Sequence, residues 1–197
     1  MRKVVSTHLA PHSCSQRRRH TAIMAVTQQL ARVPAAYLDA CRQAADASED
    51  GDHGWNPPAE DVLDLDWAPF LLRRVAELAT LGETRVQALR QATGGSSVID
   101  LNFLDVPPHA IASFGATPTA LTAPAVVHIA GVLDQIDFPA ALASLPVDET
   151  EAALLIGHGA QEIVGGARRY LEQHFKALRD FYRGAAQQRL LVVLWWD

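Results

Sequence analysis

The stretch HFKALRDFYRGAAQQRLLVVLWWD, residues 174–197, joins a charged helical pattern to an uninterrupted apolar segment. Its helical part belongs to a single apolar stripe with spacings of four, three, four and three, formed by Leu171, Phe175, Leu178, Tyr182 and Ala185. The segment LLVVLWW is apolar at every position, which is the pattern of a strand covered on both faces. It is far shorter than the ~18 residues that a membrane span needs. We therefore predict a long final helix packed on a buried final strand, 190–196.

The same periodicities extend the prediction toward the N-terminus. Strands are expected over 25–33 and 98–104, and helices over 35–46, over 84–93 and from Asp66 to Gly82. N-cap residues are expected at Asp66, Thr122, Asp137 and Asp148. An inward-facing stripe is expected at Trp67, Leu71, Val75 and Leu78. Together these patterns predict a single α+β domain over 24–197, with amphipathic helices packed on a small sheet and a helix–strand unit at its end.

Length and composition favour a soluble globular protein. The chain has 197 residues, of which 49% are apolar and 20% are charged. Its two cysteines, Cys14 and Cys41, are too few for a disulfide framework and are interpreted as free thiols in a reducing compartment. We therefore expect a cytoplasmic protein with no membrane partner.

Charge is distributed unevenly along the chain. The sequence has 17 basic and 22 acidic residues, and residues 1–23 hold five of the bases and no acid. The remainder therefore carries 12 bases against 22 acids, a net charge of −10. An acidic body repels phosphate backbones, so we expect no nucleic-acid binding, and the same charge attracts a basic partner.

Residues 1–23 show no sustained helical or strand period, and we expect a basic disordered extension or a misassigned start. A secretory or twin-arginine signal needs a longer apolar stretch than the AIMAV that follows the arginines. A transit peptide fits the arginine-rich, acid-free composition. A coherent pattern begins at Met24, which favours Met24 as the true start.

Several segments, read in order, resemble the YfbM-like proteins, a bacterial family that carries the label "domain of unknown function". They are MAVTQQLARVPAAYLDACRQ, LDLDWAP, SFGATPTALTAPAVVHIAGVLDQID and the C-terminal RRYLEQHFKALRDFYRGAAQQRLLVVLWWD. The resemblance covers most of residues 24–197 and implies a single cytoplasmic α+β domain, without an established activity or agreed site residues. Many relatives have LD-x-DK-x-W-x-x-LH where this chain has LDLDWAPFLL, so no role of that Lys or His is carried over.

Few motifs carry recognisable chemistry. The sequence has no phosphate-binding glycine loop, dinucleotide fingerprint, zinc-binding cysteine pair or nucleophile elbow. We therefore expect no cofactor and no metal, and we assign no catalytic residue. Gly165 and Gly166 precede the last helix and are followed by Arg168 and Arg169, a pattern that can form an anion pocket at a helix start.

Four residues are candidates for a site: Asp64, Asp66, His158 and Trp196. Closely spaced carboxylates can hold a cation or divide into an acid and a base, although a helix-capping role also explains Asp66. His158 lies between two glycines, four residues before Glu162, where a polar loop histidine is favoured over a metal ligand. Trp196 belongs either to the core or to the wall of a ligand site.

Two functions follow from these observations. The first is a non-enzymatic binding protein for a basic protein partner, for example an immunity-type inhibitor of a basic toxin. The alternative is an enzyme or small-ligand binder with a site near Asp64, Asp66 and His158. A purely structural subunit is the third interpretation, and the oligomeric state is left open.

Overall fold

The C-terminal strand β4, Leu191–Trp196, lies inside an antiparallel sheet of strand order β2-β1-β4-β3. The computed structural model describes residues 26–114 and 116–197. Within these residues the sheet is completed by β1 (Gln28–Val33), β2 (Val62–Asp64) and β3 (Thr119–Leu121). The prediction of a buried final strand is confirmed, and β4 lies between β1 and β3. The expectations for residues 1–23 lie outside the described part of the chain.

Seven α-helices accompany this sheet in the described residues, which confirms the predicted single α+β domain. They are α1 (Ala35–Ala47), α2 (Ala68–Leu78), α3 (Glu83–Gly94), α4 (Ala123–Leu133), α5 (Phe138–Ala143), α6 (Glu149–Ile156) and α7 (Ala167–Gln187). No helix in the described ranges combines the length and the apolar character needed to cross a bilayer.

Strand β4 is covered on both faces because its side chains alternate between two apolar clusters. Val192 and Leu194 pack into the larger cluster, which the helices from α2 to α7 supply. Leu191, Val193 and Trp195 face the smaller cluster, to which α1 contributes Leu38. This two-sided cover explains why the segment has no polar positions.

The last helix, α7, packs its predicted stripe into the larger cluster. Leu171, Leu178, Tyr182 and Ala185 are fully buried and Phe175 is nearly so. The hydroxyl of Tyr182 donates to the carbonyl of Ala92 at 2.8 Å, so burial leaves no unsatisfied polar group there. The helix–strand unit predicted from residues 174–197 is therefore confirmed.

Two local predictions are wrong for physical reasons. Residues 98–104 form no strand; they run into a 3-10 turn at Asn102–Asp105, and Leu101 and Leu104 cover the smaller cluster from outside the sheet. Asp66 does not cap α2: the N-cap position is Trp67, which is 49% exposed rather than inward-facing. In contrast, Thr122, Asp137 and Asp148 each accept a backbone N–H at the start of a helix, as predicted.

Candidate functional site

A cavity of about 470 Å³ opens where the start of α2, the loop after α6 and the start of α7 meet. Its lining consists of Asp66, Trp67, Leu71, His158, Gly159, Glu162, Ile163, Val164 and Tyr170. Two of the four candidates, Asp66 and His158, therefore share one cavity. We call it the Asp66 cavity.

Asp66 reaches this cavity through a tight turn between β2 and α2. The carboxylate of Asp64 accepts the Asp66 N–H at 2.7 Å, and the Asp66 carbonyl accepts the N–H of Gln28 on β1 at 3.2 Å. Asp66 has a φ of 49°, in the left-handed region that aspartate tolerates better than most residues. The turn thus directs the side chain away from the helix start that it would otherwise cap.

Tyr170 on α7 orients the Asp66 carboxylate. Its hydroxyl donates to Asp66 Oδ2 at 3.0 Å and accepts the N–H of Trp67 at 3.2 Å. Burial raises the pKa of Tyr170, and the hydrogen bond and charge of Asp66 raise it further. The phenol therefore stays protonated at neutral pH and remains a donor to Asp66.

The opposite rim of the cavity is the loop after α6. Gly157, His158 and Gly159 all have positive φ, with His158 at 52°, and a 3-10 turn follows at Ala160–Glu162. His158 and Glu162 are exposed. A left-handed backbone conformation at a non-glycine residue costs free energy and is frequent at binding sites. The lining of this cavity has two such residues, Asp66 and His158, and both are site candidates.

The part of the lining that the described residues supply contains two carboxylates, Asp66 and Glu162, and no Lys or Arg. In the described part of the chain, no hydrogen bond goes to Oδ1 of Asp66, so this oxygen can accept one from a ligand. The half-exposed indole of Trp67 offers an aromatic face beside the carboxylate. Such an arrangement attracts a cation through charge and through the aromatic quadrupole.

The other candidates lie outside this cavity. Asp64 holds the turn through its bond to the Asp66 N–H. Trp196 stacks on Phe70 with ring centroids 5.4 Å apart. No three His, Cys, Asp or Glu side chains within residues 26–114 and 116–197 stand close enough to hold a metal ion.

The anion pocket predicted at Gly165 and Gly166 is in part satisfied by the protein itself. Glu149 of α6 accepts the N–H of Arg168 at 3.1 Å and pairs with the Arg168 guanidinium at 3.0 Å. The same guanidinium also donates to the carbonyls of Leu142 and Pro146. A carboxylate of the chain therefore satisfies Arg168, whereas a cavity of about 250 Å³ lined by Gly165, Gly166 and Arg169 stays open, and the anion pocket remains a prediction.

The sequence pattern does not single out Tyr170, because its aromatic ring lies off the apolar stripe of α7 and its partner Asp66 is 104 positions away. One feature could have pointed to Tyr170. It is a tyrosine in the first turn of an amphipathic helix, at a position outside the apolar stripe. The helical spacing of α2 predicts Trp67 in the core, whereas the structure leaves its side chain 49% exposed.

Comparisons of the chain with models of protein families, with curated proteins and with solved structures found no match.

Proposed function

We propose that the protein is a non-enzymatic binding protein that holds an organic cation in the Asp66 cavity. The observation that carries this proposal is the Asp66 carboxylate, oriented by Tyr170 and unpaired at Oδ1 among the described residues. Those residues give its cavity a second carboxylate and no basic side chain other than His158. This favours the alternative predicted from the sequence, an enzyme or small-ligand binder with a site near Asp64, Asp66 and His158, and we propose its small-ligand-binding form.

The shape and walls of the cavity support a small ligand. Pockets for small molecules usually enclose about 300–1,000 Å³ and combine apolar walls with a few polar groups. The Asp66 cavity has about 470 Å³, with Leu71, Ile163 and Val164 as apolar walls. An ammonium or guanidinium group on a short apolar stem matches this lining.

Calorimetric titration with hexylamine tests the proposal. We expect binding to the wild-type protein and a loss of about tenfold or more in Asp66→Asn, since one charged hydrogen bond is worth roughly 1.5–3 kcal/mol. Asp39→Asn removes an exposed carboxylate of α1 outside the cavity and serves as the matched control. Equal affinity in the wild type and Asp66→Asn contradicts the proposal.

A second candidate, binding of a basic protein, is favoured by an acidic stretch around the end of α1. Six exposed acids, Asp39, Asp46, Glu49, Asp50, Asp52 and Glu60, are accompanied over residues 35–60 by a single base, Arg42. Asp46 stands in the last turn of α1, where the helix dipole disfavours negative charge. An immunity-type inhibitor of a basic toxin would use such a surface.

Affinity capture at two salt concentrations tests this second candidate. A basic protein recovered at low salt and released at about 0.5 M salt, where the Debye length falls to about 4 Å, supports it. Retention of the same protein when Asp46, Glu49 and Asp52 are changed to the corresponding amides contradicts it.

The resemblance to the YfbM-like family and the cytoplasmic location remain proposals. They rest on the segments quoted above and on the free thiol of Cys41, which is buried. An experimental structure of a YfbM-like protein with a different strand order would contradict the first. Recovery of the chain outside the cytoplasmic fraction would contradict the second.

A further inference from the structure

A second, smaller cavity of about 180 Å³ adjoins the Asp66 cavity and shares His158 with it. The remainder of its lining consists of Phe70, Arg73, Arg74, Glu77 and Arg90. Four of these residues belong to α2, directly after the turn that carries Asp66, and Arg90 belongs to α3. We call it the arginine cavity.

The arginine cavity has an excess of positive charge. Glu77 is shared by two arginines, since its carboxylate lies 3.1 Å from Arg90 and 3.9 Å from Arg74. Among the described residues, no carboxylate lies within 4.0 Å of the Arg73 guanidinium, whose Nε donates to the Pro69 carbonyl at 3.2 Å. Burial and then the charge of Arg90 lower the pKa of Arg73. Arg90 itself is paired with Glu77 and, at 3.9 Å, with Glu83, so Arg73 is the arginine of this cavity without an acidic partner among the described residues.

Aromatic stacking holds Arg73 in this position. Its guanidinium lies 5.0 Å from the centroid of Phe70, and the other neighbour of that ring is Trp196 at 5.4 Å. Trp196 in turn is fixed by backbone pairing opposite Gln28. The guanidinium of Arg73 therefore rests on aromatic packing rather than on an acidic partner, and its remaining donors make no hydrogen bond within residues 26–114 and 116–197 and can bind an anion.

We infer that the ligand carries two opposite charges: an ammonium or guanidinium group for the Asp66 cavity and a carboxylate for Arg73 and Arg74. This inference rests on the proposed function and narrows its ligand class. Asp66 lies in the turn before α2, and Arg73 stands five residues beyond the first residue of the helix, Ala68, which is about 7.5 Å along the axis at 1.5 Å per residue. A linker must therefore separate the two charges, which favours an ω-amino or ω-guanidino carboxylate over an α-amino acid.

Calorimetry with hexylamine and ε-aminohexanoate, a pair of equal chain length, tests the inference. We expect ε-aminohexanoate to bind about fivefold more tightly, the effect of one or two partly exposed arginine–carboxylate contacts. γ-Aminobutyrate, whose charges are closer together, is expected to lose this gain. Arg73→Gln or Arg74→Gln is expected to reduce the gain, whereas Arg42→Gln, on α1, leaves it unchanged.

The outcomes distinguish the inference from the proposed function. If hexylamine binds in an Asp66-dependent way and ε-aminohexanoate binds no more tightly, the inference is overturned and the proposed function stands. If neither probe binds, both are overturned. If the gain persists in Arg73→Gln and in Arg74→Gln, with circular dichroism showing both variants folded, the carboxylate contacts another surface and the inference is overturned.

Discussion

The hydroxyl of Tyr170 lies 3.0 Å from Oδ2 of Asp66 and links the start of α7 to the turn before α2. These two residues are 104 positions apart in the sequence. Because the same hydroxyl also accepts the backbone N–H of Trp67, one phenol fixes both the carboxylate of Asp66 and the neighbouring backbone at the start of α2. The binding site that we propose therefore depends on tertiary packing rather than on a local motif.

Tyr170→Phe is expected to weaken hexylamine binding several-fold and to lower the free energy of unfolding by about 1 kcal/mol. The physical reason is that Asp66 Oδ2 and the Trp67 N–H lose their shared partner. Calorimetry and urea denaturation measure the two effects. Tyr182→Phe is the matched control, because its hydroxyl is bound to the Ala92 carbonyl in the core. If Tyr182→Phe weakens binding as much as Tyr170→Phe does, the orienting role of Tyr170 is refuted.

Leu194→Ala is expected to lower the free energy of unfolding by roughly 2–5 kcal/mol, the usual cost of a cavity at a buried leucine. Leu194 is 2% exposed in the central strand β4. Leu154→Ala is the matched control, because Leu154 is 63% exposed and its truncation is expected to change stability by less than about 0.5 kcal/mol. Urea denaturation checks both values, and similar losses would contradict the central position of β4.

Glu149→Ala is expected to lower the free energy of unfolding by about 1 kcal/mol, since the start of α7 loses its acceptor and Arg168 loses a half-exposed ion pair. The melting temperature should fall by about 2–4 °C for a chain of this size. The control is Glu172→Ala, which removes an exposed acid of α7 and is expected to leave the melting temperature nearly unchanged. An equal fall in both variants would mean that Glu149 does not cap α7.

The carboxyl group of Asp50 is expected to titrate with a pKa of about 2, below its ordinary 3.8. The main cause is the hydrogen bond from the Ser48 hydroxyl, and the bond from His109 adds to it. Because the folded-state pKa is the lower one, the stabilisation is fully present above pH 3.8 and is lost as the pH falls through about 2. Carbon-detected NMR measures this titration. Ser48→Ala should move the pKa toward 3.8, and an unchanged midpoint would contradict the assigned cause.

The sequence predicts best the elements in which a regular apolar pattern is sustained over many residues. The stripe of α7, the strand β4 and the caps at Thr122 and Asp148 are all encoded within a few neighbouring residues. The short strands β2 and β3 are missed, because three residues carry no readable alternation and pair only where β1 and β4 provide a partner. VIDLNFL has strand-like composition, yet its leucines cover the sheet from a 3-10 turn.

The sequence predicts two of the residues that line the candidate site, Asp66 and His158. Asp66 and His158 are identified by their polar surroundings, but their meeting in one cavity depends on how α6 and α7 pack, which no local pattern contains. Asp64 takes a supporting role, because its carboxylate is used by the backbone of the turn. Trp196 stacks on Phe70, and the Phe70 ring in turn contacts the guanidinium of Arg73. These contacts depend on the strand register that places Trp196 opposite Gln28, which no local pattern predicts.

The most direct test of the account is a proton–nitrogen NMR titration of the wild-type protein with hexylamine. The account predicts saturable shifts confined to the amides of Asp66, Trp67 and Tyr170 and to the loop 157–164, and the loss of these shifts in Asp66→Asn. Shifts that are absent, that spread over unrelated surfaces or that persist unchanged in Asp66→Asn would contradict the claim that this cavity binds a cation.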